Sequence, residues 1–413
     1  MKIVMFTDAY WPRVNGVTVS VDSFSHALLR AGHEVLIVCS FYPDAASVER
    51  ITSESEQERD NGEHKSGEPL VIRVPSMPLF LSKEDRLAKI HKWFWVSKQI
   101  DLFGPDVLHI NSEFVIAEFG FQYAKRNNLP AVYTFHTLWE DYAVNYFPMV
   151  PVFFLKFFAR RYLKYVINKA YLIIVPTVQI QEVIKKYNIK KQIYLLPTGI
   201  DPRIFEHETS EVDRFRNTME KKYPILTGKR ILLFAGRIAK EKNLDFLLSL
   251  VPRIREKHPE TVFLFVGNGP DLAYFQKECE EKGIEEHCIF TGYLTRDDLA
   301  LTYAISSIFV FPSLTETQGL VTIEAMLSGT PVVAIGEMGT IMVMGGNNGG
   351  FMVKNSPDEF TERIFDLLED QELYQRKIAE AKIHARAWTI DSLTEKLVQI
   401  YRDAIKSFPP KNQ

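Results

Sequence analysis

The strongest constraint on the fold is a pattern of short apolar runs, separated by segments of helical periodicity, that occurs twice along the chain. The first series comprises residues 3–7, 35–39, 107–110, 131–134, 172–175 and 193–196. The second comprises residues 230–235, 261–266, 288–291, 308–311 and 332–335. Strands that alternate with helices in this way are typical of βαβ units on a parallel sheet. The sequence therefore predicts an α/β fold with two doubly wound, Rossmann-like domains.

A proline- and glycine-containing segment separates the two series. Residues 197–202 read Pro-Thr-Gly-Ile-Asp-Pro, and the polar, charge-rich residues 206–222 follow them. Such a composition favours a linker, so we place the domain boundary near Thr198. Residues 47–67 are also strongly polar, which predicts a surface insertion rather than a site.

Composition narrows the classes of function. The chain has 413 residues, 46% of them hydrophobic, which is enough for two cores. The net charge of -3 gives no support for a nucleic-acid partner.

Three cysteines without a CxxC pair argue against disulfides and structural zinc, so we expect a reducing, cytoplasmic compartment. We expect the N-terminal residues to form a strand rather than a signal peptide, and no apolar run is long enough to span a membrane.

Two loops after predicted strands are suited to a phosphate ligand. Gly16 opens a helix after the first strand, where backbone N–H groups can approach an anion, although a simple turn glycine has the same pattern. Arg237 and Lys242 follow the strand at residues 230–235, at the sheet edge where ligands of open α/β sheets bind. Two cations there suit a diphosphate leaving group; the alternative is a pair of solvated surface charges.

The loop after residues 308–311 carries the most specific signal. Glu316 precedes the glycine turn at Gly319, and Glu324 lies eight residues beyond Glu316 in the helix that follows. Carboxylates accept hydrogen bonds from hydroxyl groups, so one of them can hold a donor sugar and the other a nucleotide ribose.

Together these residues resemble the retaining glycosyltransferases of the GT-B fold, in the family four or group 1 that includes sucrose synthases, bacterial mannosyltransferases and diacylglycerol glycosyltransferases. The resemblance covers nearly the whole chain. The matching segments are residues 15–17, 197–201, 236–237, 242–243, 266–270, 291–293 and 316–324. Gln318 departs from the family pattern, which usually has Phe before the glycine.

The resemblance implies domains at residues 1–198 for the acceptor and 199–388 for the nucleotide sugar, facing a cleft. Residues 389–413 would form a helix that returns to the first domain, with Trp388 at the crossing. It also implies that Arg237 and Lys242 bind the donor diphosphate, Glu316 the transferred sugar and Glu324 the ribose.

The resemblance implies further donor contacts around these groups. Backbone near Tyr293 would meet the base, and Gly16 would face the diphosphate from the first domain. The loop residues Gly267, Gly319 and Leu320 would complete the donor site.

His136 is the remaining catalytic candidate. It follows the strand at residues 131–134, which places it at the ligand edge of the first sheet, although a lone histidine is more often structural. In the family a histidine at this place approaches the donor sugar. The pattern at residues 136–142 is particularly similar to the diacylglycerol glycosyltransferases, as is Glu113, which would line an acceptor pocket.

We expect no metal to be required. No Asp-x-Asp ends a strand, and Asp297 and Asp298 are predicted to begin a helix in which Thr295 and Asp298 form a capping box. Arg237, Lys242 and a helix terminus could neutralise the departing phosphate instead.

Two basic, aromatic segments bear on the acceptor. Residues 150–170 contain five basic residues, many aromatic residues and no acid, and residues 89–98 are similar in character. Such helices can lie in an anionic headgroup layer, or they can simply pack on the sheet. The first alternative predicts peripheral contact with the inner face of the cytoplasmic membrane.

We therefore predict a retaining hexosyltransferase that uses a nucleotide diphosphate sugar as donor and needs no further cofactor. A UDP-sugar is favoured as the donor, and a GDP-sugar is the alternative. The acceptor is a hydroxyl of a lipid or other membrane-associated molecule. The alternatives are a soluble sugar or small-molecule acceptor, a non-catalytic nucleotide-sugar binding protein and, more remotely, a glycosyl phosphorylase.

Overall fold

The first series of apolar runs forms one parallel sheet in the structure, a computed structural model that describes residues 1–13, 16–42, 67–79, 82–136, 152–187, 189–316 and 318–410. The strands in chain order are β1 (Lys2–Thr7), β2 (Glu34–Ser40), β3 (Leu70–Val74), the hairpin strands β4 (Ser76–Leu79) and β5 (Ser82–Ala88), β6 (Val107–Ile110), β7 (Ala131–Thr134), β8 (Leu172–Val175) and β9 (Ile193–Leu195). The sheet order is β3-β2-β1-β6-β7-β8-β9, and β4 pairs only with β5, antiparallel.

Helices cover both faces of this sheet because its strands are apolar on both sides. They are α1 (Gly16–Arg30), α2 (Trp93–Phe103), α3 (Val115–Asn127), α4 (Val152–Lys169), α5 (Val178–Lys186) and, from the end of the chain, α14 (Ile390–Ser407). Alternate residues of β1 show the division. Ile3 and Met5 pack with α1 and α14, whereas Val4 and Phe6 pack with α2 to α5.

The second series forms a separate parallel sheet. Its strands are β10 (Arg230–Ala235), β11 (Thr261–Val266), β12 (Cys288–Gly292), β13 (Ile308–Phe311), β14 (Val332–Ile335) and β15 (Gly350–Val353), in the order β12-β11-β10-β13-β14-β15. The accompanying helices are α6 (Thr209–Lys222), α7 (Leu244–Lys257), α8 (Leu272–Glu281), α9 (Arg296–Ala304), α10 (Leu320–Leu327), α11 (Met338–Met344), α12 (Pro357–Glu369) and α13 (Gln371–Ala385).

The chain divides into two compact units. Unit 1 contains residues 1–199 and 390–413, and unit 2 contains residues 200–389. In unit 1, helix α14 packs against α1, and Arg30 contacts Asp391 at 2.9 Å. In unit 2, the N–H of Ile200 donates to the carbonyl of Trp388 at 3.1 Å, so the two ends of this unit are hydrogen-bonded to each other.

The structure corrects one prediction and adds elements to others. The polar residues 206–222 are not an irregular linker, because most of them form α6, which Arg216 attaches to the carbonyls of Lys229 and Ile305. Strands β3, β4, β5 and β15 had not been predicted. Thr295 caps α9 by accepting from the N–H of Asp298, which confirms the Thr295 half of the predicted capping box. The predicted insertion at residues 47–67 lies outside the described residues, apart from Gly67.

Candidate active site

The candidate site of unit 2 lies where the strand order reverses. The chain leaves β10 for β11 on one side and later returns to β13 on the other side of β10. Loops that follow β10 and β13 therefore diverge around a crevice at the carboxyl edge, which is where open α/β sheets bind ligands. The first loop carries Arg237 and Lys242, and the second carries Glu316.

Side-chain contacts hold these two loops together. Lys242 Nζ lies 2.8 Å from Glu316 Oε2. Next to this ion pair, the side chain of Asn243 donates to the carbonyl of Pro312 at 3.2 Å, and Thr315 Oγ1 donates to the carbonyl of Glu241 at 3.1 Å. The structure therefore brings together Lys242 and Glu316, which the sequence had assigned to separate parts of the donor.

A cavity of about 490 Å³ opens at this point. Its lining residues come from the ends of β10 and β13 and from the loops after them: Ala235, Gly236, Arg237, Glu241, Lys242, Phe311, Thr315, Glu316 and Val321. The side chains of Lys242 and Glu316 are 18% and 19% exposed, whereas that of Arg237 is 64% exposed and lies 3.6 Å from Glu241. The cavity thus has a shielded ion pair and an accessible guanidinium in its wall.

Two glycines are required for the loops after β10 and β11 to touch. Gly267 has a φ of 133°, and a Cβ there would lie 1.9 Å from the carbonyl oxygen of Gly236. A Cβ on Gly269 would lie 2.1 Å from the carbonyl oxygen of Ile238. The predicted donor-site residue Gly267 thus has a packing reason of its own, because no side chain fits there.

Gly319 and Glu316 are also linked. Gly319 precedes α10 with a φ of 69°, and its N–H donates to Glu316 Oε1 at 3.4 Å. Leu320 begins α10, and Glu324 follows one turn later, where Tyr303 Oη donates to Glu324 Oε2 at 3.1 Å. Burial raises the pKa of the Glu324 carboxyl, while the Tyr303 hydrogen bond opposes that rise.

The remaining predicted residue of unit 2 is farther along the same sheet edge. Tyr293 directly follows β12, and it is 78% exposed. Its neighbour Gly292 accepts a hydrogen bond from the N–H of Gly267 at 2.9 Å, which ties the end of β12 to the loop after β11. Neither Tyr293 nor Glu324 lines the cavity around Lys242 and Glu316.

In unit 1, His136 lies two residues beyond β7. Its Nε2 is 3.5 Å from Asn111 Oδ1, and Asn111 directly follows β6. Burial lowers the pKa of His136 to about 4, so its imidazole is neutral at pH 7. A neutral imidazole can donate or accept a hydrogen bond without bringing a charge.

A second histidine, His109, is buried near His136. His109 Nδ1 is 2.6 Å from the Tyr401 hydroxyl of α14, and His109 Nε2 is 2.7 Å from Thr134 Oγ1. Burial, and then the proximity of His136, lower the pKa of His109 to about 3. His109 therefore connects Tyr401 of α14 to Thr134, the last residue of β7, which lies two residues before His136.

Gly16 begins α1, and a Cβ on it would meet no atom of the described residues within 4 Å, apart from its chain neighbours and its own helix. Packing against the described residues therefore does not require a glycine at this position. Val14 and Asn15, which precede it in the predicted motif, lie outside the described residues. Residues 137–142 of the motif that begins at His136 also lie outside them.

Both basic, aromatic segments form helices. In α4, Leu163, Val166 and Ile167 are buried against the sheet. The same helix exposes six aromatic residues: Phe153, Phe154, Phe157, Phe158, Tyr162 and Tyr165. Helix α2 similarly buries Val96 and Ile100 and exposes Phe94 at 72%. Among the helices in the described part of the chain, none is long and apolar enough to cross a membrane.

Both halves of the chain match models of glycosyltransferase families. Residues 14–204 match Glycosyltransferase Family 4, and residues 215–384 match Glycosyl transferases group 1. The chain belongs to this family of glycosyltransferases. The match confirms the predicted family and shows that the protein is a hexosyltransferase.

Similar proteins extend the match over nearly the whole glycosyltransferase. This chain is 28% identical to the alpha-monoglucosyldiacylglycerol synthase of Streptococcus pneumoniae over 342 aligned residues. The alignment covers 82% of this chain and 71% of that protein. This chain is 26% identical over 412 residues to the Acholeplasma laidlawii protein of the same name, which covers 98% of each. The crystal structure of Anabaena HepE in complex with UDP has a TM-score of 0.70 at 15% identity and covers 98% of this chain and 100% of that one. This structural likeness confirms the predicted GT-B fold.

Asp8 of the glycosyltransferase was not singled out by sequence reasoning, whereas Glu113 was, and both make buried polar contacts in unit 1. Asp8 follows β1 and accepts from Ser112 Oγ at 2.6 Å and from the N–H of Ile116 at 3.0 Å, at the start of α3. Glu113, assigned to an acceptor pocket, is 6% exposed and accepts from the Tyr133 hydroxyl at 2.8 Å. An aspartate just after the first strand was a visible signal for Asp8, whereas nothing local predicts the His109–Tyr401 contact.

Proposed function

We propose that this glycosyltransferase moves a hexose from a UDP-sugar to a hydroxyl of a membrane lipid, with retention of the anomeric configuration. The observation that carries the proposal is the cavity at the carboxyl ends of β10 and β13, in which Arg237, Lys242 and Glu316 meet. In this proposal unit 2 binds the donor and unit 1 binds the acceptor. A GDP-sugar is the alternative donor.

The charges of the cavity suit a donor whose leaving group is a diphosphate. Arg237 is accessible and has no closer acid than Glu241 at 3.6 Å among the described residues, so its guanidinium can turn to phosphate oxygens. Lys242 is anchored by Glu316 and retains further N–H groups for a second phosphate contact. Cations placed where negative charge develops stabilise the transition state in a shielded site.

Glu316 would hold the transferred sugar. The Glu316 carboxylate accepts from Lys242 on one oxygen and from Gly319 on the other, and each carboxylate oxygen has room for a further hydroxyl donor. The neutral imidazole of His136 can hydrogen-bond a sugar hydroxyl. During transfer the bond between the anomeric carbon and the diphosphate oxygen breaks, and a bond to the acceptor oxygen forms on the same face. The acceptor proton passes to the departing phosphate.

The aromatic face of α4 supports a lipid acceptor. Phe153 is 75% exposed and Phe158 is 63% exposed, and exposed aromatic residues grouped on one helix are typical of a surface that contacts a membrane or partner. Arg161 and Lys164 lie among these residues. Two relatives are named alpha-monoglucosyldiacylglycerol synthase. That name describes a product in which glucose is attached to diacylglycerol, which supports diacylglycerol as the acceptor.

The test is a panel of UDP-, GDP- and ADP-sugars, offered with and without liposomes that contain diacylglycerol. We expect UDP release that depends on diacylglycerol and yields a glycolipid whose anomeric configuration, read by NMR, matches that of the donor. Equal UDP release without diacylglycerol would move the acceptor to a soluble hydroxyl compound. Inversion would overturn the proposed stereochemistry, and no turnover with any donor would overturn the proposal as a whole.

A further inference from the structure

A second cavity, of about 510 Å³, lies between α4 and α5 in unit 1. Its volume is in the range of small-molecule sites in proteins. Both helices contribute cations and aromatic rings to its wall: Phe157, Arg160, Arg161, Lys164, Lys186 and Tyr187. None of the described residues that line it is acidic.

The charge around this cavity is strongly one-sided. Residues 152–191 contain nine lysines and arginines but a single acid, Glu182, in a chain whose net charge is -3. Glu182 is paired with Lys185 at 2.8 Å and does not line the cavity. Among the described residues, Arg161, Lys164 and Lys186 have no acidic partner, and the Lys164 ammonium lies 5.9 Å from the centre of the Tyr187 ring. Cations grouped without acids favour a bound anion, because it relieves their mutual repulsion.

The position of the cavity indicates what kind of anion it takes. Phe157 is part of the cavity wall and also of the exposed aromatic face of α4, so the cavity opens at the surface that we propose contacts the bilayer. A ligand there meets both cations and aromatic rings. This combination suits a phosphate group attached to an apolar molecule better than a freely hydrated phosphate.

We propose that the cavity between α4 and α5 binds the phosphodiester of an anionic phospholipid as a discrete, saturable site. This inference rests on the proposed function, because it takes the α4 face to be the membrane contact. It goes beyond general attraction of a basic surface, since it assigns the affinity to particular residues on two helices. Lys186 distinguishes the discrete site from general attraction, because it lines the cavity but lies on α5, outside the aromatic face of α4.

The chain offers a matched pair of variants for the test. Lys164→Gln with Lys186→Gln removes two charges from the cavity wall, and Lys185→Gln with Lys190→Gln removes two from the same segment outside the cavity. Diffuse attraction is worth about fivefold in affinity for each charge near an anionic surface, so it predicts a similar loss, roughly 30-fold, for both pairs. A discrete site predicts a loss of at least about 100-fold for the cavity pair, because each charge-assisted hydrogen bond contributes about tenfold or more.

Three probes separate the possibilities. The first is co-sedimentation with phosphatidylcholine vesicles with and without phosphatidylglycerol. The second is calorimetry with monomeric short-chain phosphatidylglycerol, and the third is calorimetry with glycerol phosphate. We expect short-chain phosphatidylglycerol to bind saturably to the wild type and the control pair, and not to the cavity pair. Glycerol phosphate should bind at least about tenfold more weakly, because it lacks the apolar part that meets the aromatic rings.

Equal losses of vesicle binding in both variant pairs, or no saturable binding of the short-chain lipid, would overturn the site. Equal affinity for glycerol phosphate and the short-chain lipid would overturn its assignment to a phospholipid. Transfer by the wild type to diacylglycerol dispersed in a neutral detergent tests the proposed function separately. Failure there with intact short-chain lipid binding would therefore refute the reaction and leave the site standing.

Discussion

Glu316→Gln tests whether the carboxylate that pairs with Lys242 is needed for sugar transfer but not for binding of the nucleotide diphosphate. At 2.8 Å, two unit charges attract by about 6 kcal/mol with an effective dielectric constant of about 20, before their desolvation is subtracted. Because both side chains are about four-fifths shielded, we expect the substitution to lower the free energy of unfolding by about 1–2 kcal/mol. This loss leaves a folded protein in which function can be measured.

The functional effect should be larger and confined to transfer. The amide that replaces the carboxylate would keep an oxygen for the Gly319 N–H but lose the charge that strengthens hydrogen bonds to sugar hydroxyls. The loss is about 3 kcal/mol for two such bonds, so kcat/KM should fall about 100-fold or more. UDP affinity should stay within about threefold, because Lys242 is released to bind phosphate.

Calorimetry with UDP, a transfer assay and denaturant unfolding measure the three quantities. Arg237→Gln is the matched control, since its side chain is 64% exposed and belongs to the phosphate contact. It should weaken UDP binding about tenfold with little change in stability. The reasoning fails if folded Glu316→Gln loses UDP binding as severely as it loses transfer.

Three further outcomes follow from the packing and the buried histidines. Gly267→Ala should destabilise unit 2 by about 3 kcal/mol or more in urea unfolding, because its Cβ would lie 1.9 Å from the Gly236 carbonyl oxygen; a neutral effect would contradict the loop geometry. Tyr401→Phe should cost about 1–2 kcal/mol through the lost hydrogen bond to His109, and an unchanged denaturation midpoint would refute it. His136, whose pKa is lowered to about 4, takes up a proton more readily when unfolded, so its contribution to stability is present above about pH 6.5 and is lost as the pH falls towards 4. In that window, the slope of the free energy of unfolding against pH should be smaller in His136→Gln than in the wild type, by up to about 1.4 kcal/mol per pH unit. The pH profile of kcat/KM of the wild type should show no ionisation of this imidazole near pH 6.5.

Local sequence patterns located the donor-site residues but not their contacts. Arg237, Lys242 and Glu316 could be placed on loops after strands, because a short apolar run followed by a polar loop and a helical pattern marks the carboxyl end of a parallel strand. The ion pair between Lys242 and Glu316 joins residues 74 positions apart. It depends on β10 and β13 being neighbours, and strand order is a property of the whole sheet.

The elements that sequence analysis missed have weak local signals. Strand β5 reads Ser-Lys-Glu-Asp-Arg-Leu-Ala and has no apolar alternation, yet it pairs with β4. Strand β15 has four residues and begins with glycine. Residues 206–222 were predicted as a linker because they are polar, but α6 needs only a narrow buried contact at Met219 and the anchoring of Arg216 to be held in place.

The sequence by itself determined the class of fold, the glycosyltransferase family and the loops that carry the chemistry, because these depend on periodicity and on motifs within short segments. Only the tertiary structure decided which charges meet and which are exposed. It paired Lys242 with Glu316, connected His109 to Tyr401 across 292 positions, and left the aromatic side of α4 uncovered. The physical reason is that burial and pairing depend on distant neighbours, which the residues of a single helix or loop do not specify.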